Sequence, residues 1–254
     1  MQLGLFRILG NALPPRDSMG ARIKALRQIM ELEADQGIEV NYVINFMHHR
    51  GYNEEIHELL NKHGRAWSTL TFDARLFRSM TEAHQRCYAV NINAARNHAL
   101  HRGFEDGYDF VAVLDQDCFA TKDEWDDIKL KIRSDAPQLK YYSLMSHRIH
   151  RLNENISRVP AGEPMLIHRH DAEMWYDPMR TFGSRDKLDL ALRLGHNMHD
   201  WDGLQRNAQT RIVGSIRHYS IGDTRADDQA ERHRLRTKSV DQLMETLRKR
   251  YPSR

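Results

Sequence analysis

The chain has 254 residues, 40% of them hydrophobic and 29% charged, with a formal net charge of +3. This composition suits a soluble globular protein with a sizeable core and excludes a disordered chain, and no apolar stretch approaches a membrane span. With only two cysteines, Cys87 and Cys118, a disulfide framework is not expected and a reducing compartment is.

The first residues, MQLGLFRILG, resemble a signal core, but Arg7 interrupts it and no small-residue cleavage site follows. Leu3 to Leu9 is therefore expected to be a first strand, and the protein cytoplasmic (in the host cytoplasm if viral). Gly10 to Arg16, with Pro14 and Pro15, reads as a rigid loop, after which Asp17 or Ser18 can cap a helix. Ile23, Leu26, Ile29, Met30 and Glu33 then recur at helical spacing. Val40 to Phe46 reads as a second strand, Asn53 to His63 as a helix and Trp67 to Phe72 as a third strand. Asp73 to Arg86 has little periodicity and is expected to be a mobile loop. Asn91 to His101 reads as a helix.

Phe110 to Leu114 is an apolar run that breaks into Asp115-Gln116-Asp117. Such a run predicts a strand buried on both faces, as in a parallel sheet. Trp125, Ile128 and Ile132 mark a helix, and Tyr141 to Met145 another strand. The alternation of strands and helices predicts an α/β fold with a mostly parallel sheet flanked by helices. After Ser146 the texture changes. Arg148 to Pro160 is irregular, Pro164 to His170 extended, Asp186 to Leu194 helical and Ile212 to Ser220 a late strand. Ala226 to Arg250 is expected to form one or two basic helices, whose charge can hold nucleic acid or an anionic surface or simply be a solvated face.

Ligands of open α/β sheets bind beyond the carboxyl ends of the strands. There, two carboxylates one residue apart in an extended segment point the same way. Asp115 and Asp117 thus make a half-site for Mg²⁺ or Mn²⁺, with a phosphate completing the shell. Gly10, Asn11 and Arg16 follow the first strand, Asn45 ends the second, and Asn93, Arg96 and Asn97 precede the Asp pair. Glycine admits backbone to a ligand, arginine matches a diphosphate, and asparagine can contact a base or ribose. The set fits a nucleotide-diphosphate donor. A plain turn at Gly10, a cap at Asn97 and a surface charge at Arg96 are the competing readings.

N-I-N-A-A-R-N-H-A-L followed by G-Y-D-F-V-A-V-L-D-Q-D-C-F resembles the GT-A glycosyltransferases, whose Asn/Arg helix and D-x-D both face the nucleotide-sugar. The resemblance implies a GT-A fold with Gln116 at the donor, a UDP-sugar as the expected donor, and a late histidine, here His218, as a third metal ligand. Arg217 is the alternative diphosphate contact. Many members have an acidic residue where this chain has Asn45. Further segments widen the resemblance: R-I-L-G-N-A-L-P-P-R, V-I-N-F, D-x-D-C-F-x-T-x-x-x-W, G-E-P-M, Phe182-Gly183 with Lys187, and G-S-I-R-H-Y-S-I-G. These are similar to the glycosyltransferases associated with TET/JBP-type base hydroxylases of phages and kinetoplastids, which implies a 5-hydroxymethylpyrimidine in DNA as acceptor. Arg-rich stretches at 73–86 and 231–238 would then meet phosphates.

Inverting transfer needs a carboxylate base at the acceptor hydroxyl. Asp202 is the first choice, Asp200 the second and Glu163 the third, with helix caps or a His196–His199 metal pair as alternatives. His168 and His170 alternate on one strand without further ligands at a recognisable spacing, so a polar, acceptor-facing surface is expected there. The expected division is a nucleotide-sugar half at 1–145, an acceptor half at 146–225 and a basic tail at 226–254. Three other readings remain open: a polysaccharide, lipid-carrier or protein acceptor, a nucleotidyltransferase, and a non-catalytic nucleotide- or nucleic-acid-binding module.

Overall fold

The apolar run at 110–114 is the middle of the molecule. In the computed structural model it forms a strand, β4 (Phe110–Leu114), with every residue buried. Successive side chains of a strand face opposite ways. Phe110, Ala112 and Leu114 accordingly join one core, and Val111 and Val113 the other. The structure describes residues 1–15, 17–156, 163–180, 187–195, 209–219 and 229–252.

The elements follow in order. β1 (Leu3–Leu9), α1 (Met19–Asp35), β2 (Asn41–Asn45), α2 (Arg50–Lys62) and β3 (Trp67–Leu70) come first. Next are α3 (Ala74–Ser79), α4 (Glu82–Val90) and α5 (Ile92–Glu105), leading into β4. β5 (Cys118–Phe119), α6 (Lys122–Ser134), β6 (Tyr141–Ile149) and β7 (Met165–Arg169) come after it. α7 (Leu188–Arg193), β8 (Thr210–Tyr219) and α8 (Gln229–Arg250) complete the chain.

One eight-stranded sheet has the order β3-β2-β1-β4-β7-β6-β8-β5. β1 pairs in parallel with β2 and β4, β2 with β3 and β6 with β8, whereas β7 runs antiparallel to β4 and β6, and β5 antiparallel to β8. The expected mostly parallel sheet is present, and strands from both halves of the chain belong to it. Helices α1, α2 and α6 cover one face through Leu26, Met30, Ile56, Leu60, Trp125 and Ile128. Helices α5 and α7 cover the other through Ala95, Ala99, Leu188 and Leu190. Chain order reverses between β1 and β4, so the crevice at their carboxyl ends is where ligands of such sheets settle.

Two expectations need correction. The stretch at 73–86 is not a loop. Asp73 accepts hydrogen bonds from the backbone of Arg75 and Leu76, Thr81 accepts from His84, and each starts a short helix. The basic C-terminal segment is helical as expected, in one helix that also packs on the rest of the chain. Val240, Met244 and Leu247 of α8 pack on Phe77 and Ala89. Arg248 pairs with Glu82 at 2.9 Å, Arg86 with Asp241 at 2.6 Å and Arg234 with Glu231 at 2.5 Å, so much of the expected phosphate-binding charge is met within the chain. His168 is not on a polar surface. It is 1% exposed, between the rings of Tyr141 and Tyr176. His170 is exposed. No described helix is long and apolar enough to cross a membrane.

Candidate functional site

The site begins with the segment after β4, which is a turn rather than the extended pair expected. The Cys118 amide donates to the Asp115 carbonyl at 3.1 Å, closing 115–118. The three side chains therefore diverge. Gln116 turns inward, 5% exposed, where its Oε1 accepts from Arg22 and its Nε2 donates to the Tyr52 hydroxyl at 3.0 Å. That ties the turn to α1 and α2.

A buried ion pair supports the turn from below. Arg7 shares a face of β1 with Leu5 and Leu9, and Glu33 lies on the buried side of α1. Both are 0% exposed. Arg7 donates to the two Glu33 oxygens at 2.8 and 2.6 Å, to Tyr42 at 3.1 Å and to the Cys118 carbonyl at 2.8 Å. Burial works against the guanidinium, but Glu33 and Tyr42 hold its pKa above the ordinary arginine value.

Helix α5 supplies one wall. Asn91 precedes it in the left-handed conformation at φ 53° and donates to Asn45 Oδ1 at 2.9 Å, while Asn45 Nδ2 donates to the Val90 carbonyl at 2.9 Å. Asn45 is 0% exposed and fastens β2 to the α4–α5 junction. Asn93, Arg96 and Asn97 share one helix face, as spacings of three and four require. Asn97 exchanges hydrogen bonds with the backbone of Tyr176 at 2.8 and 3.0 Å, and Asn93 donates to the Asp177 carbonyl at 2.8 Å. Both asparagines thus hold the segment after β7. Arg96 rests over the Tyr176 ring at 5.5 Å, donates to Asn93 at 2.6 Å and reaches Asp115 Oδ1 at 2.9 Å.

Asp115 Oδ2 accepts from Lys187, just before α7, at 2.9 Å. Burial raises the Asp115 pKa, but Lys187 and Arg96 outweigh it and hold the carboxyl well below the usual carboxylate range. Burial likewise opposes the Lys187 ammonium, while Asp115 and Glu163 act to keep it charged. Glu163, the third candidate base, is therefore within electrostatic reach of the site. Burial, with Asp117 and Asp115 beside it, pushes the Cys118 thiol far up, which disfavours the thiolate.

β5 brings in the last partner. Its antiparallel register sets Cys118 opposite His218, and His218 Nε2 lies 3.0 Å from Asp117 Oδ2. Neighbouring Arg217 points away from the turn and pairs with Glu124 of α6 at 2.9 Å. Among the described residues no three His, Cys, Asp or Glu side chains cluster as a metal site. Asp115 and the Asp117–His218 pair are two separate donor groups. The donor chemistry nevertheless suits Mn²⁺, since a carboxylate oxygen and an imidazole nitrogen about 3 Å apart are spaced as two adjacent ligands at about 2.1 Å on an octahedral ion.

The early loop is likewise internally committed. Asn11 Nδ2 donates to the Phe46 carbonyl at 2.6 Å, and Asn11 Oδ1 accepts from the His48 amide at 2.8 Å. It thereby clamps a turn in which Phe46 has a φ of 42°. A Cβ at Gly10 would meet nothing within 4 Å, so the space above that backbone is open. Arg16, Asp200 and Asp202 lie outside the described residues, as does the segment 196–203.

Sequence reasoning left Lys187, Arg22 and Arg7 out of the site. Arg7 had a signal: a lone arginine in an apolar strand, matched by Glu33 among the apolar positions of the next helix. Lys187 entered only within a segment of the resemblance and Arg22 not at all, because their contacts with Asp115 and Gln116 join distant parts of the sequence.

No protein-family model matches the chain, and no curated protein matches it in sequence. Solved structures do match. The mannosyltransferase PcManGT from Pyrobaculum calidifontis, in complex with GDP-Man and Mn²⁺, is 11% identical with a TM-score of 0.50, over 96% of this chain and 63% of that one. This chain thus spans less than two thirds of that protein's length. A Desulfovibrio desulfuricans G20 protein assigned to the nucleotide-diphospho-sugar transferases is 11% identical with a TM-score of 0.44, over 99% of both chains. The glucosyl-3-phosphoglycerate synthase of Mycobacterium tuberculosis, with Mn²⁺, UDP-Glc and phosphoglyceric acid, is 10% identical with a TM-score of 0.46, over 97% of this chain and 79% of that one. At such identities it is the fold that is shared: a single mostly parallel eight-stranded sheet flanked by helices, of the GT-A type found in nucleotide-sugar transferases.

Proposed function

We propose that the protein is a GT-A glycosyltransferase that moves a sugar from a nucleotide-diphosphate sugar, with a UDP-sugar as the expected donor, to an acceptor hydroxyl. The observation that carries this reading is the Asp115–Asp117 turn at the switch point of the sheet, flanked by Arg96 and Lys187 on one side and His218 on the other. Asp117 and His218 would hold Mn²⁺ or Mg²⁺, with an oxygen of Asp115 as a further donor. A divalent ion there would supply charge neutralisation for the departing diphosphate. Arg96, fixed by Asn93 and Tyr176, would bind the diphosphate and orient it. A carboxylate among Asp202, Asp200 and Glu163 would take the acceptor proton if transfer inverts the anomeric centre.

The resemblance to the TET/JBP-associated enzymes supports a finer reading, in which the acceptor is a 5-hydroxymethylpyrimidine in DNA. The target base would then have to leave the stack to present its hydroxymethyl group. The internal pairing of Arg86, Arg234 and Arg248 leaves fewer cations for phosphates than the sequence alone implies.

A thermal-shift panel of nucleotide-sugars, with and without Mn²⁺, tests the donor. The expected result is a rise in melting temperature that needs both ligands and is lost in Asp117→Ala. An Asp117→Ala protein that still responds fully would remove Asp117 from the site. Transfer assays on DNA with and without hydroxymethylated bases test the acceptor. If it is DNA, binding should weaken steeply between low and moderate salt, and a flat salt response would exclude it.

A further inference from the structure

Asp115 has both oxygens taken before any divalent ion arrives. Arg96 Nη2 and Lys187 Nζ each donate to one of them, both at 2.9 Å. The two cations are held differently. Arg96 is 5% exposed, hydrogen-bonded to Asn93 at 2.6 Å and seated on the Tyr176 ring. Lys187 meets Asp115 through a single ammonium contact on a flexible four-carbon stem. A compact ammonium on such a stem is exchanged more readily than a guanidinium anchored on several sides. On the far side of the turn stand Asp117 and His218, spaced as two adjacent ligands. An ion bound there would gain a further protein oxygen by taking one from Asp115, and the oxygen under Lys187 is the one more readily released.

Charge balance gives the exchange a direction. Arg96 and Lys187 both offset Asp115, so the empty turn pulls less on a free dication than its carboxylates alone would. A diphosphate brings negative charge that favours the dication and needs a cation of its own. We propose that Lys187 is an exchangeable counter-cation, which neutralises Asp115 in the donor-free protein and moves to the donor diphosphate when a divalent ion takes its place on Asp115. This rests on the glycosyltransferase reading of the same site. It makes metal and donor binding mutually reinforcing: each is weak alone, and each is strengthened by the other by the same factor.

The test is Mn²⁺ binding to the full chain, followed by the electron paramagnetic resonance of free Mn²⁺, with and without UDP. Wild-type protein should bind Mn²⁺ weakly alone and at least about tenfold more tightly with UDP. Lys187→Met should bind Mn²⁺ alone about tenfold more tightly than wild type, and UDP should then enhance binding far less, because the diphosphate has lost the cation that was to move to it. Lys187→Gln, which keeps a neutral donor near Asp115, should behave in the same way and decides the matter if the methionine variant does not fold. Mn²⁺ affinity within twofold of wild type in a folded Lys187 variant would overturn the exchange while leaving the glycosyltransferase reading in place. Wild-type protein that holds no Mn²⁺ even with UDP would overturn the metal reading and the exchange together.

Discussion

Glu33 and Arg7 form an ion pair that no solvent reaches, and the pair sits directly beneath the Asp115–Asp117 turn through the Cys118 carbonyl. Removing one partner of such a pair leaves a buried charge without compensation. Glu33→Ala is expected to cost about 3–5 kcal/mol in chemical denaturation. In whatever fraction still folds, the turn should be loosened, with weaker UDP–Mn²⁺ binding. A loss below about 1 kcal/mol would mean that Arg7 finds another partner or water. Among the residues of the site, the asparagines repay closest comparison. Asn11, Asn45, Asn93 and Asn97 all use their side-chain amides to fix neighbouring backbone or, for Asn45, also the Asn91 side chain. Their amides act as fasteners of the loops around the carboxyl edge of the sheet.

At the scale of elements, α5 matters because Arg96 depends on where it lies. Gly103 is the point of closest approach: a Cβ there would stand 2.5 Å from Val111 Cγ2 and 2.9 Å from Phe6 Cε2. Gly103→Ala must therefore push the helix off β1 and β4. It is expected to cost about 1–3 kcal/mol. It should also weaken UDP binding through Arg96. Gly10→Ala, in open space, should change stability by less than about 0.5 kcal/mol. Equal melting temperatures for the two variants would contradict this account of the packing. The elements that sequence reasoning found are those with long patterns. β1, β2 and β4 are apolar runs, and α1, α2 and α6 have one clear stripe. It missed α3, α4 and β5, which are six, nine and two residues long. Elements so short show no period, and only the caps Asp73 and Thr81 announced the two helices. The turn at 115–118 was unreadable for a related reason, because a strand that stops and a strand that continues into a turn begin with the same apolar residues.

For the molecule as a whole, acid stability follows from two histidines inside it. Burial lowers His168 to about 3, and burial lowers His48 to about 4. Well above pH about 6.5 both are neutral in either state and their contribution to stability is complete. Below it the unfolded chain takes up protons that the folded one refuses, so stability falls as pH drops toward 4. At pH 5 His168 alone should account for about 2 kcal/mol of the loss relative to pH 7. His168→Phe, which keeps a ring between Tyr141 and Tyr176, should flatten the stability profile between pH 7 and 5 by that amount. Identical slopes in variant and wild type would show that His168 is already protonated or hydrated in the fold. The α/β class was legible from strand and helix alternation, whereas the contacts of Lys187 and Arg22 and the docking of α8 required knowing which distant segments meet.

β5 is two residues long, and its partner is β8, about a hundred residues further along the chain. In the order of synthesis β1 to β4 can pair as soon as each emerges, since every one of them lies beside another of the set. β5 has nothing to pair with until residues 210–219 leave the ribosome. Asp117 therefore waits for His218 while about a hundred further residues are made, and this edge is among the last parts of the sheet to close. A nascent chain that stalled before residue 210 would carry the residues of β1 to β7 without those of β8, and Asp117 would have no His218 to meet.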